Sequence, residues 1–174
     1  MKFQTAIDID ATPATVWRTL TDVESWPAWT ASMTKVERLQ AGDLGVGSTA
    51  RVTQPKLKAA VYTVTECEPG KSFVWEMKAT GVKVRASHIV EDLGEGHARM
   101  VLGIEQTGAL SGLISMLYGK LTRQYVSMEA EGLKKAAETP EAEETKSEAK
   151  AESGTEPKPG GEAESGTEAE SGNA

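Results

Sequence analysis

The chain has 174 residues, a net charge of −7 and one cysteine, Cys67, so it suits a single domain that needs no disulfide and fits a reducing compartment. The charge sits at one end: residues 140–174 hold ten Glu, three Lys and no aromatic or large aliphatic residue, which leaves residues 1–139 balanced at 16 acidic and 16 basic groups. A neutral domain with an acidic tail excludes the basic footprint of a nucleic-acid binder, and no apolar run reaches the length of a membrane span.

Phe3 to Ile9 alternates apolar and polar residues, as a half-buried strand does. Thr12 is a good helix cap, Pro13 suits the first helical position, and Val16, Trp17 and Leu20 make an apolar stripe. Ser25-Trp26-Pro27 is expected to end regular structure, because proline disfavours a helical residue before it. Strands are then expected over 33–39, 49–54, 59–67, 72–78, 82–90 and 98–107. They are separated by Gly42 to Gly47, Pro55, Pro69-Gly70 and Gly94 to Gly96. Such closely spaced strands favour an antiparallel meander.

Leu110, Leu113, Ile114, Leu117, Tyr118, Leu121, Tyr125 and Met128 recur at three- and four-residue steps and predict a long helix. Lys134 and Lys135 complement the negative end of its dipole, and Pro140 closes it. The tail repeats Ala-Glu-Ser-Gly-Thr-Glu at 151–156 and 163–168, and is expected to be a disordered, low-complexity appendage that solvates the domain. With no leader pattern at the start, the expected location is cytoplasmic.

Several local patterns together resemble the START-like polyketide cyclase/dehydrase and lipid-transport superfamily, also described as SRPBCC or Bet v 1-like. The opening strand is followed by Ala11, Pro13, Val16-Trp17, Leu20 and Asp22, then by the corner Trp26-Pro27-Ala28-Trp29. Val46-Gly47-Ser48 leads into the third strand, and Val64, Glu66, Pro69 and Gly70 form the turn before the fifth. One detail departs from the pattern: Thr15 stands where a capping box carries Glu or Gln. The resemblance spans about residues 1–138. It implies an α+β helix-grip fold, in which a curved antiparallel sheet of about seven strands wraps a long C-terminal helix and leaves a cavity between them. Domain boundaries of 1–139 and 140–174 follow.

In such a fold inward residues line the cavity. Strand parity turns Phe73, Trp75 and Met77 inward, with Tyr62 and Val64 beside them and Leu102 and Ile104 on the last strand. Leu117, Leu121 and Tyr125 answer from the helix. His88 shares the inward parity of Val82, Val84, Ala86 and Val90. It reads as a core histidine, as a polar contact for a ligand head group, or as a general base, though no orienting partner for it is evident. Tyr62, Tyr118 and Tyr125 offer hydroxyls that seek a partner when buried. Against an open cavity, Gly108, Gly112 and Gly119 would let the helix approach the sheet closely.

Other chemistry finds no support. Gly42-x-x-Gly45-x-Gly47 lacks the Lys-Ser/Thr and the helix of a phosphate loop. One Cys and two His make no metal set, no cofactor motif is present, and Cys67 reads as a small hydrophobe. Lys83, Arg85, Glu76 and Glu105 fall on outward parities, so no inward carboxylate pair is assigned. Three functions remain open: binding of a small lipid-like, polyketide-like or aromatic ligand, a cyclase- or dehydratase-like enzyme using His88 or a tyrosine, and a protein-partner module with a vestigial cavity.

Overall fold

Alternation along the first residues produces β1 (Lys2–Ile9), whose odd-numbered side chains turn inward. In this computed structural model residues 1–139 are described, so the expectations for the acidic tail lie outside the described residues. In α1 (Pro13–Thr21) the Thr12 hydroxyl accepts the Thr15 N–H at 3.3 Å. The Thr15 and Thr12 hydroxyls also hydrogen-bond at 3.1 Å. Val16 and Leu20 are wholly buried.

The chain does not leave helical structure at Pro27. After a short 3₁₀ turn, Val23–Ser25, a helical turn α2 spans Trp26–Trp29. Pro27 lies in its first turn, where a missing N–H costs nothing. Trp26 is held helical by its indole, which is buried and donates Nε1–H to the Leu20 carbonyl at 2.9 Å.

Six strands follow: β2 (Lys35–Arg38), β3 (Thr49–Thr53), β4 (Ala60–Glu68), β5 (Ser72–Ala79), β6 (Val82–Gly94) and β7 (His97–Thr107). They form one antiparallel sheet with β1, in the order β1-β7-β6-β5-β4-β3-β2. β2 is shorter than expected because its partner β3 stops at Thr53, just before Pro55. The sheet curves around α3 (Ser111–Ala137), 27 residues and about 40 Å long. This is the helix-grip architecture.

The orientation of α3 differs from the sequence expectation. Its buried face runs through Thr122, Tyr125, Val126, Glu129, Ala130 and Leu133. That face is turned by about 100° of helix rotation from the centre of the apolar stripe. Leu113 and Leu117 are 53% and 64% exposed, so neither occupies the core. Close approaches are made by Gly132, where a Cβ would sit 2.4 Å from the Trp29 carbonyl oxygen, and just before α3 by Gly108, where it would sit 2.6 Å from the Gly81 carbonyl oxygen. Gly112 instead faces open space, and a Cβ at Gly119 would meet only the side chains of Met1 and Arg123. Thus the glycines in the first half of α3 do not collapse the gap between helix and sheet. At the other end Lys134 Nζ reaches the Asp8 carbonyl at 2.6 Å, and Glu138 accepts the Asp10 N–H at 2.8 Å. The helix is pinned at its C-terminal end and stands off at its N-terminal end.

Candidate functional site

The gap between α3 and the sheet is a cavity of about 640 Å³, within the range of about 300–1,000 Å³ usual for ligand pockets. β4 supplies Tyr62, β5 Trp75 and Met77, β6 Ala86 and His88, and β7 Leu102, Ile104 and Gln106. From α3 come Ile114, Tyr118, Thr122, Tyr125 and Glu129. The β3–β4 loop closes one side with Gln54, Lys56, Leu57 and Lys58. Exposed Lys56, Lys58 and Tyr118 mark where the cavity opens to solvent.

Seven of the eleven side chains expected at a binding site line this space: Tyr62, Trp75, Met77, His88, Leu102, Ile104 and Tyr125. Four are placed elsewhere. Val64 and Phe73 have the inward parity but are buried in the core, since parity fixes a face and not a height along the strand. Leu117 projects into solvent and Leu121 is half-buried off the lining, both because of the rotation of α3.

His88 is 2% exposed and enclosed by aromatic rings. It stacks on Phe73 with centroids 4.2 Å apart, meets Trp75 edge-on at 5.6 Å and touches Trp26 at 5.6 Å. The Trp-Pro-Ala-Trp corner is therefore one wall around the histidine. Its Nε2 lies 3.1 Å from Glu129 Oε1, a carboxylate buried on α3. An ionised Glu129 only accepts, so Nε2 then carries a proton, and in the neutral imidazole Nδ1 presents a lone pair. Nδ1 is buried and has no partner among the described residues.

Glu129 is the partner that the sequence did not reveal for His88. It follows Tyr125 by four residues, and Tyr125 was already placed on the inward face, so extending that face by one turn reaches it. Tyr62 stands near the same carboxylate, with its ring on Trp75 at 5.1 Å. Burial, and then the negative charge of Glu129, push the Tyr62 hydroxyl up to about 12. It remains a proton donor at any physiological pH, and no hydrogen bond engages it among the described residues. Tyr125, by contrast, is already committed: its hydroxyl donates to the Pro55 carbonyl at 2.5 Å and ties α3 to the β3–β4 loop. Gln106 is a further buried polar group, accepting the Ser115 hydroxyl at 3.1 Å. It continues the inward parity of Met100, Leu102 and Ile104.

The polar groups expected at the surface are there. Arg85 pairs with Glu66 at 2.6 Å and Lys83 with Glu76 at 2.8 Å. His97 pairs with Asp10 at 2.5 Å, both well exposed. No helix among the described residues is long and apolar enough to cross a membrane.

Solved structures share this architecture. The Zhui aromatase/cyclase of Streptomyces sp. R1128 superposes with a TM-score of 0.67 at 14% identity, covering 80% of this chain and 94% of that one. Norcoclaurine synthase of Thalictrum flavum, solved with dopamine and hydroxybenzaldehyde, gives a TM-score of 0.61 at 13% identity, covering 78% and 84%. At such identities the likeness concerns the fold. No curated protein matches the chain in sequence. The family model for polyketide cyclase / dehydrase and lipid transport matches residues 1–138, the whole of the sheet and of α3. The chain belongs to that family.

Proposed function

We propose that residues 1–139 are a binding domain for a small, mainly apolar molecule carrying one hydrogen-bonding head group. The observation that carries this reading is a mainly apolar cavity of about 640 Å³ whose lining includes Tyr62 and His88. The Tyr62 hydroxyl makes no hydrogen bond among the described residues, and the buried His88 Nδ1, unpartnered among them, is an acceptor when the imidazole is neutral and Glu129 holds Nε2–H. A phenol or enol oxygen, or a carbonyl with a neighbouring hydroxyl, matches that pair. Trp75, Met77, Leu102, Ile104 and the Tyr125 ring would cover the apolar body. Burial there contributes about 25 cal/mol per Å² of apolar surface, and the polar pair selects the head group.

The test is native mass spectrometry of the gently purified protein, repeated after denaturation. An added mass lost on denaturation is the expected result, and His88→Ala should weaken its retention. No added mass, together with no change in Tm across a panel of fatty acids and polycyclic phenols, overturns the proposal.

The His88–Glu129 pair also favours a second reading, a cyclase- or dehydratase-like activity. A carboxylate that orients an imidazole is the arrangement a general base needs. In that reading His88 takes a proton from carbon beside a carbonyl while Tyr62 donates to the carbonyl oxygen. Exchange of that carbon-bound hydrogen in deuterated water, lost in His88→Gln, would distinguish catalysis from binding alone.

A further inference from the structure

Three segments far apart in sequence frame the mouth of the cavity: 54–60, 78–84 and 108–128. Pro55 is bonded to Tyr125, and the Gly81 carbonyl accepts the Leu110 N–H at 2.9 Å, so all three meet at one end of the sheet. Together they hold Lys56, Lys58, Lys78, Lys83, Lys120 and Arg123, and no Asp or Glu. The balanced charge of residues 1–139 conceals this, because acids concentrate elsewhere: Asp10, Glu68, Asp92 and Glu95 lie at or beside the turns of the opposite end. Bases scattered in sequence are thus collected by the fold. Lys56, Lys58 and Lys120 form no ion pair among the described residues.

The same rim is apolar. Leu113, Leu117 and Tyr118 stand in solvent on α3, with Tyr118 and Ile114 also lining the cavity. Leu57 lines it from the loop, between Lys56 and Lys58. Tyr118 thus belongs both to the lining of the cavity and to the exposed apolar face of α3. Large apolar side chains flanked by lysines are the pattern of surfaces that lie in a bilayer interface.

We propose that this rim docks the domain on an anionic lipid bilayer, peripherally, with Leu113 and Leu117 seated among the acyl chains and the lysines on the headgroups. A ligand then passes between bilayer and cavity without crossing water. Charge selects this occupant. A second copy of the chain would bring the unpaired Lys56, Lys58 and Lys120 against themselves, whereas Lys83 is already paired with Glu76. The acidic segment 140–174 contains no large apolar residue with which to cover the leucines.

The test is co-sedimentation of the full chain with phosphatidylcholine vesicles and with equimolar phosphatidylcholine–phosphatidylglycerol vesicles, at low and high salt. Binding is expected only to the anionic vesicles, and salt should weaken it. Lys56→Glu with Lys58→Glu should reduce it by roughly tenfold or more. Leu113→Glu with Leu117→Glu should abolish it, and exposed sites make both pairs tolerable to the fold, checked by circular dichroism. Lys71→Glu, at the opposite end, should change nothing. Equal binding to both vesicles, no binding, or binding indifferent to the two leucines overturns the proposal. So does a dimer in light scattering that the leucine pair abolishes, which assigns the face to a second copy. None of these readings requires an occupied cavity, so docking and ligand binding fail separately.

Discussion

The two halves of α3 use opposite materials. Over its second half the buried face includes Ala130, Gly132 and Ala137 around Leu133, and the backbone comes so close to the Trp29 carbonyl that no side chain fits at Gly132. Over its first half the large residues Leu113, Leu117 and Tyr118 stand at the rim of a cavity, partly in water. A helix that must touch its neighbours needs small residues on that face. A helix that must stand away from a sheet has its bulky residues free for the opening. Strong apolar periodicity therefore marks the mouth of this protein, and weak periodicity marks its tightest contact.

Identical substitutions in the two halves test this contrast. Leu133→Ala removes a wholly buried side chain and should cost roughly 2–5 kcal/mol in chemical denaturation. Leu117→Ala, on a residue 64% exposed, should stay within about 0.5 kcal/mol. Similar losses at both sites would mean that α3 packs along its whole length and that the cavity is filled by the helix itself.

A smaller effect, with a change of sign, is expected at the glycines. Gly112→Ala meets nothing within 4 Å and should stabilise by roughly 0.5 kcal/mol, because alanine restricts the unfolded chain and favours helix. Gly132→Ala gains the same local term but drives a methyl into the Trp29 carbonyl oxygen, and a net loss of roughly 2 kcal/mol should follow. Thermal unfolding of the two variants decides it. If both stabilise, the close approach at Gly132 is not a constraint on the fold.

The sequence carried most of the fold because its signals are local. Parity defined the inward faces of β5, β6 and β7, the turn residues separated the strands, and Thr12-Pro13 began α1 where the cap is found. The site was legible only in part. His88 was visible from parity, but Glu129 was not, since a lone glutamate on a helix reads as a solvated group until the sheet is known to cover it. The rotation of α3 was hidden for a related reason: periodicity locates an apolar stripe but cannot say whether core, cavity or solvent faces it. The basic rim was invisible because it exists only after residues 54–60, 78–84 and 108–128 are brought together.

The contact between the helix's buried half and the sheet can be sharpened by titration. Tyr62 reaches from β4 toward Glu129, and its hydroxyl is raised from 10.0 to about 12 by burial and by that carboxylate. The folded protein thus holds this proton more tightly than the unfolded chain does. The stabilising contribution is complete below pH 10, falls as pH rises from 10 toward 12, and is gone above that. The full shift corresponds to less than about 3 kcal/mol, and water in the cavity screens the charge, so a loss of roughly 1–2 kcal/mol is expected. Other groups titrate in the same window, which makes the difference between the wild type and Tyr62→Phe the quantity to follow. Denaturant midpoints of the wild type should drop relative to Tyr62→Phe through that window, and Glu129→Gln should shrink the difference by removing the nearby charge. Parallel curves would show that Tyr62 ionises as freely folded as unfolded. Its hydroxyl would then be neither shielded by burial nor held by the charge of Glu129.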